Sequence, residues 1–211
     1  MTTYKSENFN WNLGVRWAKT KTSVTQVSNN IPITNGVFYL APGGDLGALY
    51  MQRPLTSIDQ LKPDGTRYIP EASAAGYTVA SSGYVVNNAN YNVVLTAAND
   101  LALVGNVNPD FTSSFINRFT IFKKLTLSAQ LDWIKGVNTY NQTKQWLYRD
   151  RLAADFDTPV TIGDQTGAFV AYYNSLYNTN TPLSHFVEDG SYVRLRDLSI
   201  TYDLTNVLKQ K

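Results

Sequence analysis

The sequence predicts an all-β chain: antiparallel strands forming a segment of a transmembrane β-barrel, a partial barrel with long extracellular loops. Three observations carry this reading. Leu125 to Trp133 reads Leu-Thr-Leu-Ser-Ala-Gln-Leu-Asp-Trp, and Phe9 to Trp17 reads Phe-Asn-Trp-Asn-Leu-Gly-Val-Arg-Trp, two strict apolar/polar alternations. Side chains on a strand alternate sides, so Leu125, Leu127, Ala129, Leu131 and Trp133 share one face and Thr126, Ser128, Gln130 and Asp132 the other. Each segment is nine residues long, near the roughly 9 to 11 that a tilted strand needs to cross a bilayer. Each also closes on a tryptophan, where a membrane barrel carries its aromatic girdle.

Composition is compatible with such a wall. The 211 residues are 43% hydrophobic and 16% charged, with a mean hydropathy of −0.25. No run approaches the roughly 18 apolar residues of a spanning helix. A barrel strand escapes that test because half of it is polar. With 18 basic and 16 acidic residues the net charge is +2, which argues against a nucleic-acid partner. There is no cysteine, so disulfides and thiolate metal sites are excluded.

Four strands are predicted in order. The first is 9–17. The second, 111–121, has Phe111, Phe115, Phe119 and Ile121 on one side and Arg118 and Thr120 on the other. A short turn, Phe122 to Lys124, leads into the third, 125–133, making a hairpin. The fourth, 192–204, alternates Leu198, Ile200, Tyr202 and Leu204 with Ser199, Thr201 and Asp203, while its upper half, with Arg194, Arg196 and Asp197, reads as polar on both sides. Between them lie two polar stretches predicted as long loops, 28–109 and 136–190. These have room for an extra strand at Tyr77 to Val86, and for a short helix near Phe169 to Tyr177, where Phe169, Tyr172, Tyr173 and Leu176 fall at helical spacing.

Loop length sets an orientation. Barrels have short periplasmic turns and long outer loops, so the Phe122 to Lys124 turn is expected on the periplasmic side and both long loops outside. Arg16 and Asp132 fall on the polar parity, which avoids the roughly 2 to 4 kcal/mol that an arginine facing lipid would cost at mid-membrane.

Two blocks of residues resemble a known family. His185-Phe-Val-Glu-Asp-Gly-Ser-Tyr-Val-Arg-Leu-Arg-Asp-Leu-Ser-Ile-Thr-Tyr-Asp-Leu204 is similar to the late-barrel segment of SusC/RagA-type TonB-dependent outer-membrane transporters, in which an acidic-Gly-Ser-aromatic-x-Arg-Leu-Arg/Lys run opens a strand. Val104-Gly-Asn-Val-Asn-Pro-Asp-Phe-Thr-Ser-Ser-Phe115, followed by Asn117-Arg-Phe, Leu125-Thr-Leu-Ser and Gly136-Val-Asn-Thr-Tyr-Asn141, resembles that family's Gly-Asn-x-x-Pro-x-Phe hairpin. Phe9 to Val27 resembles the preceding strand more weakly. The two blocks and this strand cover about half of the chain.

The resemblance implies import of a glycan or peptide across the outer membrane of a Gram-negative bacterium. The implied partners are the lipid of that membrane, the TonB complex and a SusD-type surface lipoprotein. It also implies a late-barrel fragment, since neither a signal peptide nor a plug is read ahead of Met1 and further strands are expected after Thr205 to Lys211. Four strands are fewer than the roughly eight of the smallest barrels. No enzyme activity and no cofactor are expected.

The residues expected to face the lumen are Asn10, Asn12, Arg16, Arg118, Ser128, Gln130 and Asp132. In the second loop, Tyr140, Asn141, Trp146, Tyr148, Tyr172 and Tyr173 have the chemistry to stack on and hydrogen-bond a sugar or peptide. They are equally suited to packing the loop on itself. His185, the single histidine, has no Cys or His partner for a metal and reads as a loop residue. Glu188 and Asp189 are adjacent, so on a strand they point to opposite faces and do not make a glycosidase pair. A soluble carbohydrate-binding β-sandwich is the alternative reading of the same alternation.

Overall fold

The alternating segments pair into one sheet in the computed structural model, which describes residues 2–30, 33–35, 37–177 and 181–205. Five antiparallel strands, Thr2–Lys5 (β1), Phe9–Ala18 (β2), Phe111–Ile121 (β3), Leu125–Lys135 (β4) and Tyr192–Tyr202 (β5), lie side by side in chain order. The sheet is therefore an up-and-down meander with two long connections, and it is open. No closed barrel is formed among the described residues. β1 leaves no mark in the sequence, because its four residues are too few to display a period of two. The last residues, 206–211, read as the approach to further strands, lie outside the described residues.

Register is what gives the sheet its two faces. β2 pairs with β3 from Phe9↔Ile121 to Ala18↔Thr112, and β3 with β4 from Ile121↔Leu125 to Phe111↔Lys135, each without a slip. β5 differs from expectation twice. It ends at Tyr202 and not at Leu204, and it carries a bulge: Gln130 pairs with Asp197 but Leu131 pairs with Leu195, leaving Arg196 as the extra residue. A bulge shifts the parity of the strand by one. The upper half of β5 is thus not polar on both sides. Val193 and Leu195 fall in line with Leu198, Ile200 and Tyr202, and Arg194 and Asp197 fall on the other face.

The β3–β4 turn is built without glycine. Phe122 and Lys123 both have positive φ, 51° and 58°, and Lys124 N donates to Ile121 O at 3.1 Å. Two successive left-handed residues match the twist of a hairpin, at about 1 kcal/mol of strain for each residue with a Cβ. Both long connections leave and rejoin the sheet at its opposite end, where Trp17 and Trp133 lie in register with Ser113.

Residues 22–107 and 139–188 form a second compact unit. The two stretches predicted as long loops are thus mostly one folded body with its own core. Ala80, Val86 and Val93 from the first stretch are buried with Tyr148, Val160, Tyr172, Tyr173, Leu176, Leu183 and Phe186 from the second. Its strands are mostly three or four residues long, as in the Ile33–Asn35, Phe38–Leu40, Ala48–Met51, Ala102–Asn106 sheet. That is too short for an alternation to be legible. The extra strand read over Tyr77 to Val86 is two strands, Tyr77–Val79 and Val85–Asn87, paired as a hairpin.

Among the described residues two α-helices complete the unit. The helix expected near Phe169 to Tyr177 spans Val170–Ser175. A second, Gln142–Arg149, was hidden by its low apolar content and is held by its ends. The Asn141 side chain accepts from Lys144 N at 2.8 Å, capping the N-terminus. At the other end Arg151 is left-handed, φ 58°, while Leu152 N donates to Leu147 O and Arg151 N to Tyr148 O. Those two bonds are the Schellman closure.

In the sheet unit, Gly136 follows β4 with φ +77°, and a Cβ there would run into the Asp110 carboxyl group. Gly136→Ala should cost about 1 to 2 kcal/mol, from the left-handed backbone and the displaced Asp110. A lowered denaturation midpoint of the full chain, followed by circular dichroism, checks this. Gly163→Ala, also at positive φ but with nothing within 4 Å of the added Cβ, should lose only the backbone share.

Candidate functional site

One face of the five-stranded sheet is predominantly apolar along its length. Directly opposed residues share a face, and the ladders align Phe9, Ile121, Leu125 and Tyr202 in one row and Trp11, Phe119, Leu127 and Ile200 in the next but one. Val15, Phe115, Leu131 and Leu195 form another row, and Trp17, Ser113, Trp133 and Val193 the last. Asn117 interrupts this face and is occupied: its Oδ1 accepts from Trp11 Nε1 at 3.1 Å. The face is not covered. Ile200 is 71% exposed, Leu198 66% and Trp17 63%, and a contiguous apolar surface of this kind marks an interface or a membrane contact. Aromatic rings bound it, with Tyr4, Phe9 and Tyr202 at the turn end and Trp17 and Trp133 at the other. Phe9 and Trp17 are about 27 Å apart at ~3.4 Å per residue. At a barrel tilt of about 40° that becomes roughly 20 Å of height, close to the ~25 Å apolar band of a membrane barrel.

All seven residues predicted on the polar parity meet on the opposite face. Asn12, Arg118 and Ser128 are cross-strand neighbours in one row, and Arg16, Ser114, Asp132 and Arg194 in another, with Asn10 opposite Thr120 and Gln130 opposite Asp197. Asp132 is the hub. Its Oδ1 accepts from Ser114 Oγ and Gln130 Nε2, each at 2.8 Å, and its Oδ2 lies 3.6 Å from Arg196 Nε. The bulge is what brings Arg196 to it. Arg194 stacks its guanidinium 5.0 Å from the Tyr192 ring centroid.

The second unit holds a pocket of about 350 Å³ that the sequence did not disclose, lined by residues that include Ser82, Tyr84, Tyr148, Asp155, Tyr172 and His185. A directed chain of hydrogen bonds crosses it. Tyr148 Oη donates its single proton to Asp155 Oδ2 at 2.6 Å, since a carboxylate can only accept. His185 Nε2, 2.9 Å from the same hydroxyl, must then be the donor. That fixes the neutral tautomer with Nε2 protonated, and leaves Nδ1 to accept from Tyr84 Oη at 3.3 Å. Lys144 closes the chain at 3.2 Å from Asp155. Burial, and secondarily the Lys144 charge, pushes the His185 imidazole down to about 4, against a smaller opposing pull from Asp155. Burial also pushes the Tyr172 hydroxyl up to about 12, and Tyr148 is raised further by burial and its bond to Asp155. Asp155 is held below the usual carboxylate range, chiefly by the hydrogen bond from Tyr148.

The six loop residues singled out in the sequence are thereby divided. Tyr148, Tyr172 and Tyr173 are core residues, at 1%, 3% and 6% exposure, so their rings are not free to stack on a ligand. Tyr140 packs edge-on against Phe186. Asn141 is spent on the helix cap and on Glu188, whose two carboxylate oxygens each accept from its Nδ2 at 3.1 Å. Trp146 alone of the six is well exposed, at 53%. Asp189 takes a different partner from Glu188, the Ser191 N–H at 2.8 Å. His185, read as a loop residue, is the centre of the network; its partners are 37 and 101 positions away, beyond the reach of any motif. Among the described residues no group of three or more His, Cys, Asp or Glu is arranged to hold a metal ion. No helix among them is long and apolar enough to cross a membrane, which says nothing of strands.

No protein-family model matches the chain, and no curated protein matches it. Solved structures do. The chain is similar to the RagAB peptide importer in its "closed-closed" state, with a TM-score of 0.58 at 17% identity, over 98% of this chain and 22% of that one. It is also similar to the RagAB peptide transporter, with a TM-score of 0.59 at 18% identity, over 100% and 22%. The RagAB importer in its "open-open" state gives 0.59 at 15%, over 98% and 21%. The likeness is one of fold. The chain spans about a fifth of the length of the solved chains it matches.

Tyr148→Phe removes the hydroxyl that joins His185 to Asp155 and should destabilise the second unit by about 1 to 3 kcal/mol. The shift of its urea midpoint, read by Trp146 fluorescence, measures this. Leu152→Ser, at a side chain 71% exposed, should stay within about 0.5 kcal/mol.

Proposed function

We propose that this chain is part of the wall of an outer-membrane TonB-dependent importer of the SusC/RagA type, taking up a glycan or peptide. The observation that carries the reading is the predominantly apolar, uncovered face set against a hydrogen-bonded polar face on strands of membrane-spanning length. Support comes from the fold likeness to the RagAB importer structures and from the two motif blocks in the sequence.

In this reading the apolar face meets lipid and the Asp132 face lines the lumen. Asn10, Asn12, Arg16, Arg118, Ser128 and Gln130 present hydrogen-bonding groups to a passing solute. The Phe122 to Lys124 turn is periplasmic, and the unit of 22–107 and 139–188 lies outside, where a SusD-type lipoprotein would be seated. Force comes from the TonB complex through the parent protein. No bond is broken, so none of these residues is assigned a catalytic role. Placing Asp132 and its partners toward lipid would instead strand charges in hydrocarbon, at about 2 to 4 kcal/mol for an arginine near the midplane.

The chain's lack of cysteine lets nitroxide labels be introduced one at a time in outer-membrane preparations. Labels at Leu127 and Leu131 should be relaxed by oxygen, which partitions into lipid. Labels at Ser128 and Gln130 should respond to a water-soluble nickel complex. Equal accessibility at all four positions would sink the membrane assignment.

A further inference from the structure

Besides the tyrosine-lined pocket, the second unit holds a smaller one of about 280 Å³, lined by residues that include Lys62, Asp64, Tyr68, Asn99 and Asp100. Both of its sides belong to the first polar stretch and are fixed by their own backbone. On one side Lys62 N donates to Thr66 O at 2.7 Å and Gly65 N to Lys62 O at 2.9 Å. Gly65 is left-handed there, φ 83°, and Leu61 and Arg67 bridge across the turn. On the other side Asp100 N donates to Ala97 O at 2.9 Å, and the buried Thr96 hydroxyl donates to Asp100 O at 3.2 Å. Tyr68 packs half-buried against Leu55, Ile69 and Val85, which holds its ring in the wall.

One group in this pocket has no use within the fold. Asp100 Oδ2 is shut from solvent and accepts no hydrogen bond, the one carboxylate oxygen in that state among the described residues. No ion pair joins Asp100 to Lys62 or to Arg53. A buried acceptor without a donor is costly, and more so when it is charged. Asp64 also lines the pocket and spends only Oδ1 on Thr66, accepting from its N at 2.8 Å and its Oγ1 at 2.6 Å. Two carboxylates thus face one ammonium, that of Lys62, and the balance favours a cationic guest.

We propose that this pocket captures the free N-terminus of a peptide, whose α-ammonium donates to Asp100 and whose first carbonyl accepts from Lys62 or the Asn99 amide. An ammonium has three donors, enough for Asp100 and Asp64 together, and it is favoured beside an aromatic ring such as that of Tyr68. Lys62 selects among cations. It repels a metal ion and gains nothing from it, whereas a peptide terminus carries a carbonyl beside its ammonium and so uses both signs of charge in the wall. A lysine side chain has no such neighbouring carbonyl, and a neutral sugar brings no positive charge for the carboxylates. At about 280 Å³, just under the range of pockets that enclose a drug-sized ligand, the site takes a chain end and leaves the rest of the peptide outside. This assignment rests on the importer reading for the source of the peptide; of the two solutes named there, glycan and peptide, the pocket selects the second.

Isothermal titration calorimetry of the full chain, in the detergent in which it is purified, tests the capture with trialanine amide as the probe. It should bind. N-acetyl-trialanine amide, which lacks only the ammonium, should bind about tenfold or more weakly. Asp100→Asn keeps the shape and a carbonyl acceptor, and should weaken trialanine amide to the same degree while leaving the acetylated peptide unchanged. Lys62→Gln should weaken both peptides. Circular dichroism of each variant should match the parent, and the acetylation pair tests the site with no variant at all. Absent binding, binding that survives acetylation, or an unaltered affinity in folded Asp100→Asn would overturn the proposal. So would displacement of trialanine amide by calcium chloride or by maltotriose, or tighter binding of free alanine, which would make the site one for a metal, a glycan or an amino acid. A failed titration beside intact lipid and water contrast in β4 overturns the pocket and not the wall; binding without that contrast does the reverse.

Discussion

The sheet depends on register. The two faces exist because Phe9, Ile121, Leu125 and Tyr202 stand in one row and the ladders then hold their register toward the tryptophans, with one bulge in β5. A slip of one residue in any pair would carry a whole strand's apolar set to the polar side. Unslipped ladders on both sides of β3 prevent that, and in β5 the bulge at Arg196 corrects a parity that the amino-acid order alone would get wrong. The same bulge delivers a guanidinium to Asp132. One local insertion therefore completes the apolar face and gives the Asp132 carboxylate of the polar face a cationic partner.

The second unit is organised on different physics. Its strands are too short to be amphipathic and its helices too short to stand alone, so its stability is drawn from a core of large rings packed edge to face. Tyr148 touches Phe156, Tyr173, His185 and Phe186 with centroid separations of 5.2 to 6.4 Å. Tyrosine brings a hydroxyl into every such contact, and a buried hydroxyl needs a partner. The hydrogen-bond chain from Tyr84 to Asp155 follows from building a core out of tyrosine, and a histidine placed in that chain is held in one tautomer.

Legibility followed periodicity. The four long strands were visible because residues such as Leu127 and Ser128 alternate over nine or more positions, a pattern with no other ready explanation in a chain of this polarity. The seven polar-face residues were legible for the same reason: parity alone assigns them to one side. β1 and the two faces of the 192–197 half of β5 were not legible, the first because it is too short and the second because a bulge is invisible to any fixed period. In the loops, Phe169, Tyr172, Tyr173 and Leu176 disclosed a helical face. Two of them, Tyr172 and Tyr173, also suggested ligand contacts, and burial removes both from that role.

By itself the sequence determined which residues alternate, where four long strands lie, which side carries charge in the first three of them, and that the chain's two longest connections leave from the same end of the sheet. These are properties of local order along the chain, and side-chain geometry converts them directly into faces. Only the tertiary structure decided that those connections share a core, that Arg196 is the extra residue of a bulge, and that His185 sits between Tyr84 and Tyr148. Each of these depends on residues far apart in the chain, or on a pairing partner, meeting in space. No pattern within a single segment encodes such a meeting.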